Sequence, residues 1–80
     1  MHAIEERVKK VIAAQLDVEE EAVTSSKHLV NDFGADALAM NEVITGLETE
    51  FQMVLSDEEV EKITTVQGAI DCVRLVVTGE

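Results

Sequence analysis

A stripe of apolar residues with its own start signal constrains this chain more than any other feature. Leu38, Val43, Ile44, Leu47 and Phe51 recur with a helical period, which predicts that they share one face of a helix. Asp36, with its short acceptor side chain, stands just ahead of the run and is the expected N-cap. Gly34 precedes it and can take the backbone angles of a tight entry turn. The pattern predicts a helix from this turn to about Phe51. Asp36, Glu42, Glu48 and Glu50 lie at its start or off its apolar stripe and are expected to meet water. Gly46 interrupts it at a cost of about 1 kcal/mol against alanine. The remaining segments must cover the apolar face.

Three of them can. Ile4, Val8, Val11, Ile12 and Leu16 repeat with a helical period, with Glu5 and Glu6 in the first turn and Lys9 and Lys10 four residues on. That order suits the helix dipole and favours i,i+4 pairs. Ser56 followed by Glu59 forms a capping box, predicting a short helix with Val60 and Ile63 on its apolar side. Thr64 and Gln67 offer a second box, ahead of Val66, Ala69, Ile70, Val73, Val76 and Val77. Between residues 17 and 34 the periodicity fades. Leu29, Val30 and Phe33 are expected to anchor a packed loop containing a helical turn or two. The expected fold is all-α: a four-helix bundle with three longer helices, one short one, and its long loop between helices I and II. Residues 1–80 are read as one domain.

Composition supports this and narrows the function. The chain has no proline, four glycines and two aromatic residues, both Phe, within 46% hydrophobic content. The core must be aliphatic, and the chain is too apolar to stay disordered. Seventeen acidic residues against six basic ones give a net charge of −11. Such a surface repels phosphates, so nucleic acid and anionic membranes are poor partners, whereas basic protein surfaces and divalent cations are attracted. The same charge also serves plain solubility. Glu48, Glu50 and Asp57 are expected to hold Ca²⁺ or Mg²⁺ only loosely, since they do not form an EF-hand loop. His2 and His28 stand alone, without metal-ligand spacing. No pair of carboxylates is marked as buried, so acid–base catalysis is not indicated. Cys72 cannot form an internal disulfide and falls in an apolar helical pattern, where it reads as a small buried hydrophobe. No apolar run approaches 18 residues and no signal peptide is seen, which points to the cytoplasm or to the matured form of an organelle protein.

Several separated blocks carry a resemblance. Ile4-Glu5-Glu6-Arg7-Val8-Lys9-Lys10, Gly34-Ala35-Asp36 with Leu38, Leu47-Glu48 with Glu50-Phe51, and Asp57-Glu58-Glu59 with Glu61-Lys62-Ile63-Thr64-Thr65-Val66-Gln67 resemble the acyl carrier proteins of bacterial type II fatty acid synthesis. The resemblance implies a monomeric four-helix carrier, not an enzyme, that holds acyl chains as thioesters for enzymes of lipid synthesis. It implies that Asp32, Asp36, Glu42, Glu48 and Glu50 dock on basic surfaces of those enzymes and of a phosphopantetheinyl transferase. It also implies that Val43, Ile44, Leu47, Phe51, Val54, Ile63 and Ala69 line the space an acyl chain enters.

The chain departs from that family at the attachment motif. The family's Asp-Ser-Leu supplies a serine hydroxyl that receives 4′-phosphopantetheine; here the matching triplet is Asp36-Ala37-Leu38. A methyl group cannot attack the phosphate of coenzyme A. The chain is therefore expected to carry no cofactor and to stay in the apo form, with 4′-phosphopantetheine expected only if Ala37 were serine. Two explanations stand: a carrier with a substitution at its attachment site, or a natural paralogue that survives as a protein-interaction or regulatory module. Ala39, Asn41, Thr45 and Thr49 depart from the family's acidic or apolar preferences and lend the second some support. At Ala39 the helix also lacks an acid that would favour its dipole.

Overall fold

The computed structural model describes residues 3–78. Four α-helices occur in the order α1 (Ala3–Leu16), α2 (Ala37–Phe51), α3 (Asp57–Glu61) and α4 (Val66–Thr78), with a 3₁₀ turn at Glu20–Ala22 between α1 and α2. The described residues form no strand, only one isolated antiparallel bridge between His28 and Thr65. The all-α, four-helix expectation holds, including the long loop and its helical turn.

The core is aliphatic, as the lack of aromatics requires. Val8 and Ile12 from α1, Val43 and Leu47 from α2, Ile63, and Val66, Ile70 and Val73 from α4 are almost or wholly sealed from solvent. Leu29 joins them from the loop and is completely buried, and Phe33 packs at the edge. Val30 does not serve as an anchor: it is 46% exposed. Two of the three expected loop anchors suffice because the loop is also held by backbone hydrogen bonds.

Those bonds run to the start of α4. The N–H groups of Val66 and Gln67 donate to the carbonyls of Lys27 (3.0 Å) and Ser25 (3.0 Å), and Leu29 N–H donates to Thr64 O (2.9 Å). The loop thus satisfies helix donors that would otherwise lack partners. Gly68 N–H donates to Thr65 Oγ1 at 3.0 Å, so Thr65 caps α4. The expected box of Thr64 and Gln67 is one residue out of register. Thr64 uses its carbonyl to hold the loop, and Gln67 N–H is taken by Ser25.

Helix ends follow from local chemistry. At α3, Ser56 and Glu59 form the full capping box, with N···O distances of 3.2 and 2.9 Å. Both α1 and α2 close through a left-handed residue, Asp17 (φ 56°) and Gln52 (φ 52°). In each case the next N–H reaches back, Val18 to Ala13 O and Met53 to Glu48 O, both at 3.0 Å. On α1, Lys9 pairs with Glu5 at 3.1 Å, whereas Glu6 and Lys10 do not pair with each other. An i,i+4 pair on a helix contributes only a few tenths of a kcal/mol, too little to fix both. Arg7 instead crosses to α2: its Nε contacts Glu50 Oε2 at 2.8 Å, its Nη2 donates to Glu50 O at 2.9 Å, and its guanidinium lies 4.4 Å from the centre of the Phe51 ring.

Candidate functional site at the start of helix α2

The turn into α2 is fully specified. Gly34 adopts φ 69°, and its N–H donates to Val30 O at 2.9 Å. Ala35 N–H donates to Leu29 O at 3.1 Å, which ties the turn to the buried Leu29. Asp32 Oδ2 accepts the His28 N–H at 2.6 Å, and His28 Nδ1 accepts the Asn31 N–H at 3.2 Å. Asp36 Oδ1 then accepts the Ala39 N–H at 2.8 Å, so Asp36 is the N-cap as expected. Ala37 is the first residue of α2 and is exposed.

Leu38 is 67% exposed and does not belong to the inward stripe. The reason is angular: nine residues separate it from buried Leu47, about 2.5 turns at 3.6 residues per turn, which puts it on the opposite side of the helix. Met40 falls within the stripe and packs against the core. The start of α2 therefore presents a methyl group at position 37 and an isobutyl group at position 38 to solvent, on a rigid capped end.

Ala37 also stands at one end of a groove of about 370 Å³ between α2 and α3. Met40, Ile44, Leu55 and Val60 give it apolar walls, while Asn41, Thr45, Glu48 and Asp57 supply polar rim. Of the residues expected to line an acyl space, Ile44 borders this groove. Val43, Leu47, Ile63 and Ala69 are sealed in the core beneath, and Phe51 lies at its edge under Arg7. Val54 is placed outside: it is 83% exposed, because the turn after α2 sends its neighbour Leu55 inward instead. Sequence reasoning missed Met40, Leu55 and Val60 as walls. The angular position of Met40 was a readable signal, and Val60 was legible as apolar but not as facing α2.

The expected acidic face is divided in its duties. Glu42 is exposed and has no ion-pair partner among the described residues. Asp32 and Asp36 hold backbone N–H groups, and Glu50 is bound to Arg7. Glu48 is only half exposed, and its Oε2 accepts the Leu55 N–H at 2.8 Å. With Glu48 and Glu50 so engaged, they do not gather with Asp57 into a cation site. Among the described residues no group of three or more His, Cys, Asp or Glu side chains could hold a metal ion.

The remaining chemistry is spare. The residue that opens α2 offers no nucleophilic atom. Ser56 is occupied as a cap, and Thr45 and Thr49 lie on exposed turns farther along α2. Cys72 is buried beside α3, with its Sγ 3.8 Å from Glu59 O. Burial first, and the nearby Glu59 charge second, push its thiol above the ordinary value, with Lys62 opposing. That direction favours the protonated, less nucleophilic form of the thiol. No helix among the described residues is long and apolar enough to cross a membrane.

The geometry is thus four helices with a capped, exposed α2 start beside a largely apolar groove. The family described as the phosphopantetheine attachment site matches residues 6–73. A solved structure of the acyl carrier protein from Enterococcus faecalis is similar to this chain, with a TM-score of 0.73 and 33% identity, covering 99% of this chain and 96% of that one. The chain belongs to the phosphopantetheine attachment-site family. Proteins of this acyl-carrier class are carriers, not enzymes, and work with enzymes of biosynthesis.

Proposed function

We propose that this chain is a monomeric, cytoplasmic acyl carrier of fatty acid or lipid biosynthesis in which residues 1–80 act as one domain and Ala37 occupies the attachment position. In its unaltered form it carries no pantetheine arm. The observation that carries the reading is the geometry at Ala37: an exposed first residue of α2, held by the Asp36 cap, at the end of the α2–α3 groove. The apolar walls there suit an acyl chain. The methyl group suits no phosphodiester, because it has no oxygen to attack the phosphate. On this reading Ala37, with Asp36 and Leu38 around it, is what a phosphopantetheinyl transferase meets.

The unpaired Glu42, with Asp36 and Asp32 nearer the turn, supplies negative charge to steer basic partner surfaces. Glu48 and Glu50 add charge but are already bonded within the fold. Incubation with fluorescent coenzyme A and a phosphopantetheinyl transferase tests the proposal. The Ala37→Ser variant is expected to become labelled and the unaltered chain to stay dark. The missing hydroxyl equally motivates the second reading, a paralogue kept as an interaction or regulatory module. Failure of both chains to label would favour it.

A further inference from the structure

We propose that Glu48 is a positioning residue that latches the far end of the α2–α3 groove through Leu55, and that this duty needs its acceptor oxygen rather than its charge. Ala37 and Glu48 both border the groove, eleven residues apart on α2, or about 16 Å at 1.5 Å per residue. Glu48 thus stands at the opposite end from the attachment position. There it makes two kinds of bond to the turn that leads to α3. Its carbonyl accepts the N–H of Gln52 and the N–H of Met53 (3.0 Å), which closes α2. Its carboxylate then reaches seven residues ahead and accepts the Leu55 N–H at 2.8 Å.

The consequence is visible in the side chains. Leu55 is buried as a wall of the groove, while the adjacent Val54 is 83% exposed. Chain direction at this turn is set by where the Leu55 N–H is pinned. α3 has only five residues and no buried side chain of its own, so it cannot hold its position unaided. Releasing Leu55 frees the wall formed by Leu55 and Val60 to move from α2. The latch itself is independent of the carrier reading; only the statement that an acyl chain is what the groove shelters rests on it.

Two substitutions separate acceptor from charge. Glu48→Gln removes the charge but keeps a carbonyl oxygen at the same reach, whereas Glu48→Asp keeps the charge but is one methylene too short. Residue-resolved amide hydrogen exchange reads the latch directly. Leu55 N–H is expected to exchange about tenfold faster in Glu48→Asp and Glu48→Ala, and within about threefold of the parent in Glu48→Gln, with Ile12 and Ile70 unchanged. If Glu48→Ala unfolds, the Asp and Gln variants still decide. The proposal is overturned if Leu55 exchange is the same in all chains, or if Gln behaves like Ala while Asp behaves like the parent. In an Ala37→Ser background charged with an octanoyl-pantetheine arm, hydroxylamine should cleave the thioester faster with Glu48→Asp than with Glu48→Gln. Equal rates would overturn the sheltering role. If that background cannot be charged, the carrier reading fails, and Leu55 exchange alone judges the latch.

Discussion

Gly46 shows how one residue can invert an expectation drawn from propensity. In isolation a mid-helix glycine is a weakness, and alanine should improve it by about 1 kcal/mol. In the fold, a Cβ added at Gly46 would lie 2.9 Å from Val11 Cγ1 and 3.4 Å from Gln15 Cγ. The glycine is what lets α1 and α2 approach. Val11 is β-branched and has few rotamers in which to yield, and overpacking costs about 1–3 kcal/mol. Gly46→Ala is therefore expected to destabilise the fold by about 1 kcal/mol net, read as a lower denaturation midpoint. Restoration by Val11→Ala in the same chain would identify the clash as the cause; a rise in midpoint from Gly46→Ala alone would contradict it.

Cys72 makes the stability of the fold depend on pH. Its thiol is held above the ordinary value in the folded state, first by burial. The unfolded chain therefore loses this proton at lower pH than the folded one. Below the ordinary thiol range both states are protonated and Cys72 contributes no pH dependence. As pH rises through that range, the unfolded state gains the advantage and stability falls. Stability measured on the alkaline side should decline less steeply for Cys72→Ala than for the parent, and identical slopes would refute the assignment.

At the scale of elements, the helices were legible because their signals are local. The Asp36 cap, the Ser56–Glu59 box and the apolar periods of α1 and α4 each lie within a few residues of one another. Where reading failed, the deciding partner was distant. Thr64 and Thr65 are indistinguishable as caps until the loop at Ser25–Lys27 takes the N–H groups of Gln67 and Val66. Leu38 is different: its misplacement was an arithmetical matter of phase on the helix, legible in principle. Thr65→Ala should cost about 1 kcal/mol as the loss of an N-cap, while Thr64→Ala should change stability little. A larger loss from Thr64→Ala than from Thr65→Ala would return the cap to Thr64 and contradict this register.

At the scale of the molecule, charge governs. A chain of 80 residues with a net charge of −11 repels itself, and its ion pairs, the exposed Arg7–Glu50 and the partly buried Lys9–Glu5, offset little of that. Composition alone showed the excess. It could not show that Glu48, Glu50, Asp32 and Asp36 are bonded to the fold, leaving Glu42 as the freer charge of the group. Added salt should raise the melting temperature by screening, and Mg²⁺ should do no more than NaCl at matched ionic strength. A further, saturating rise with Mg²⁺ would establish a specific cation site.

The groove and the capped start of α2 likewise belong to the whole. On the proposed reading the surrounding blocks mark Ala37 as the attachment position, but the walls opposite it come from residues 55 and 60, which no local pattern assigns to α2. On that reading, position 37 has what it needs to present a tether except the oxygen that would bond it. The most direct test mixes the unaltered chain and Ala37→Ser in one tube with coenzyme A and a phosphopantetheinyl transferase, followed by intact mass. A phosphopantetheine increment is expected on the serine variant alone, mapped to position 37. An increment on the unaltered chain, or on the variant at any other position, would contradict it.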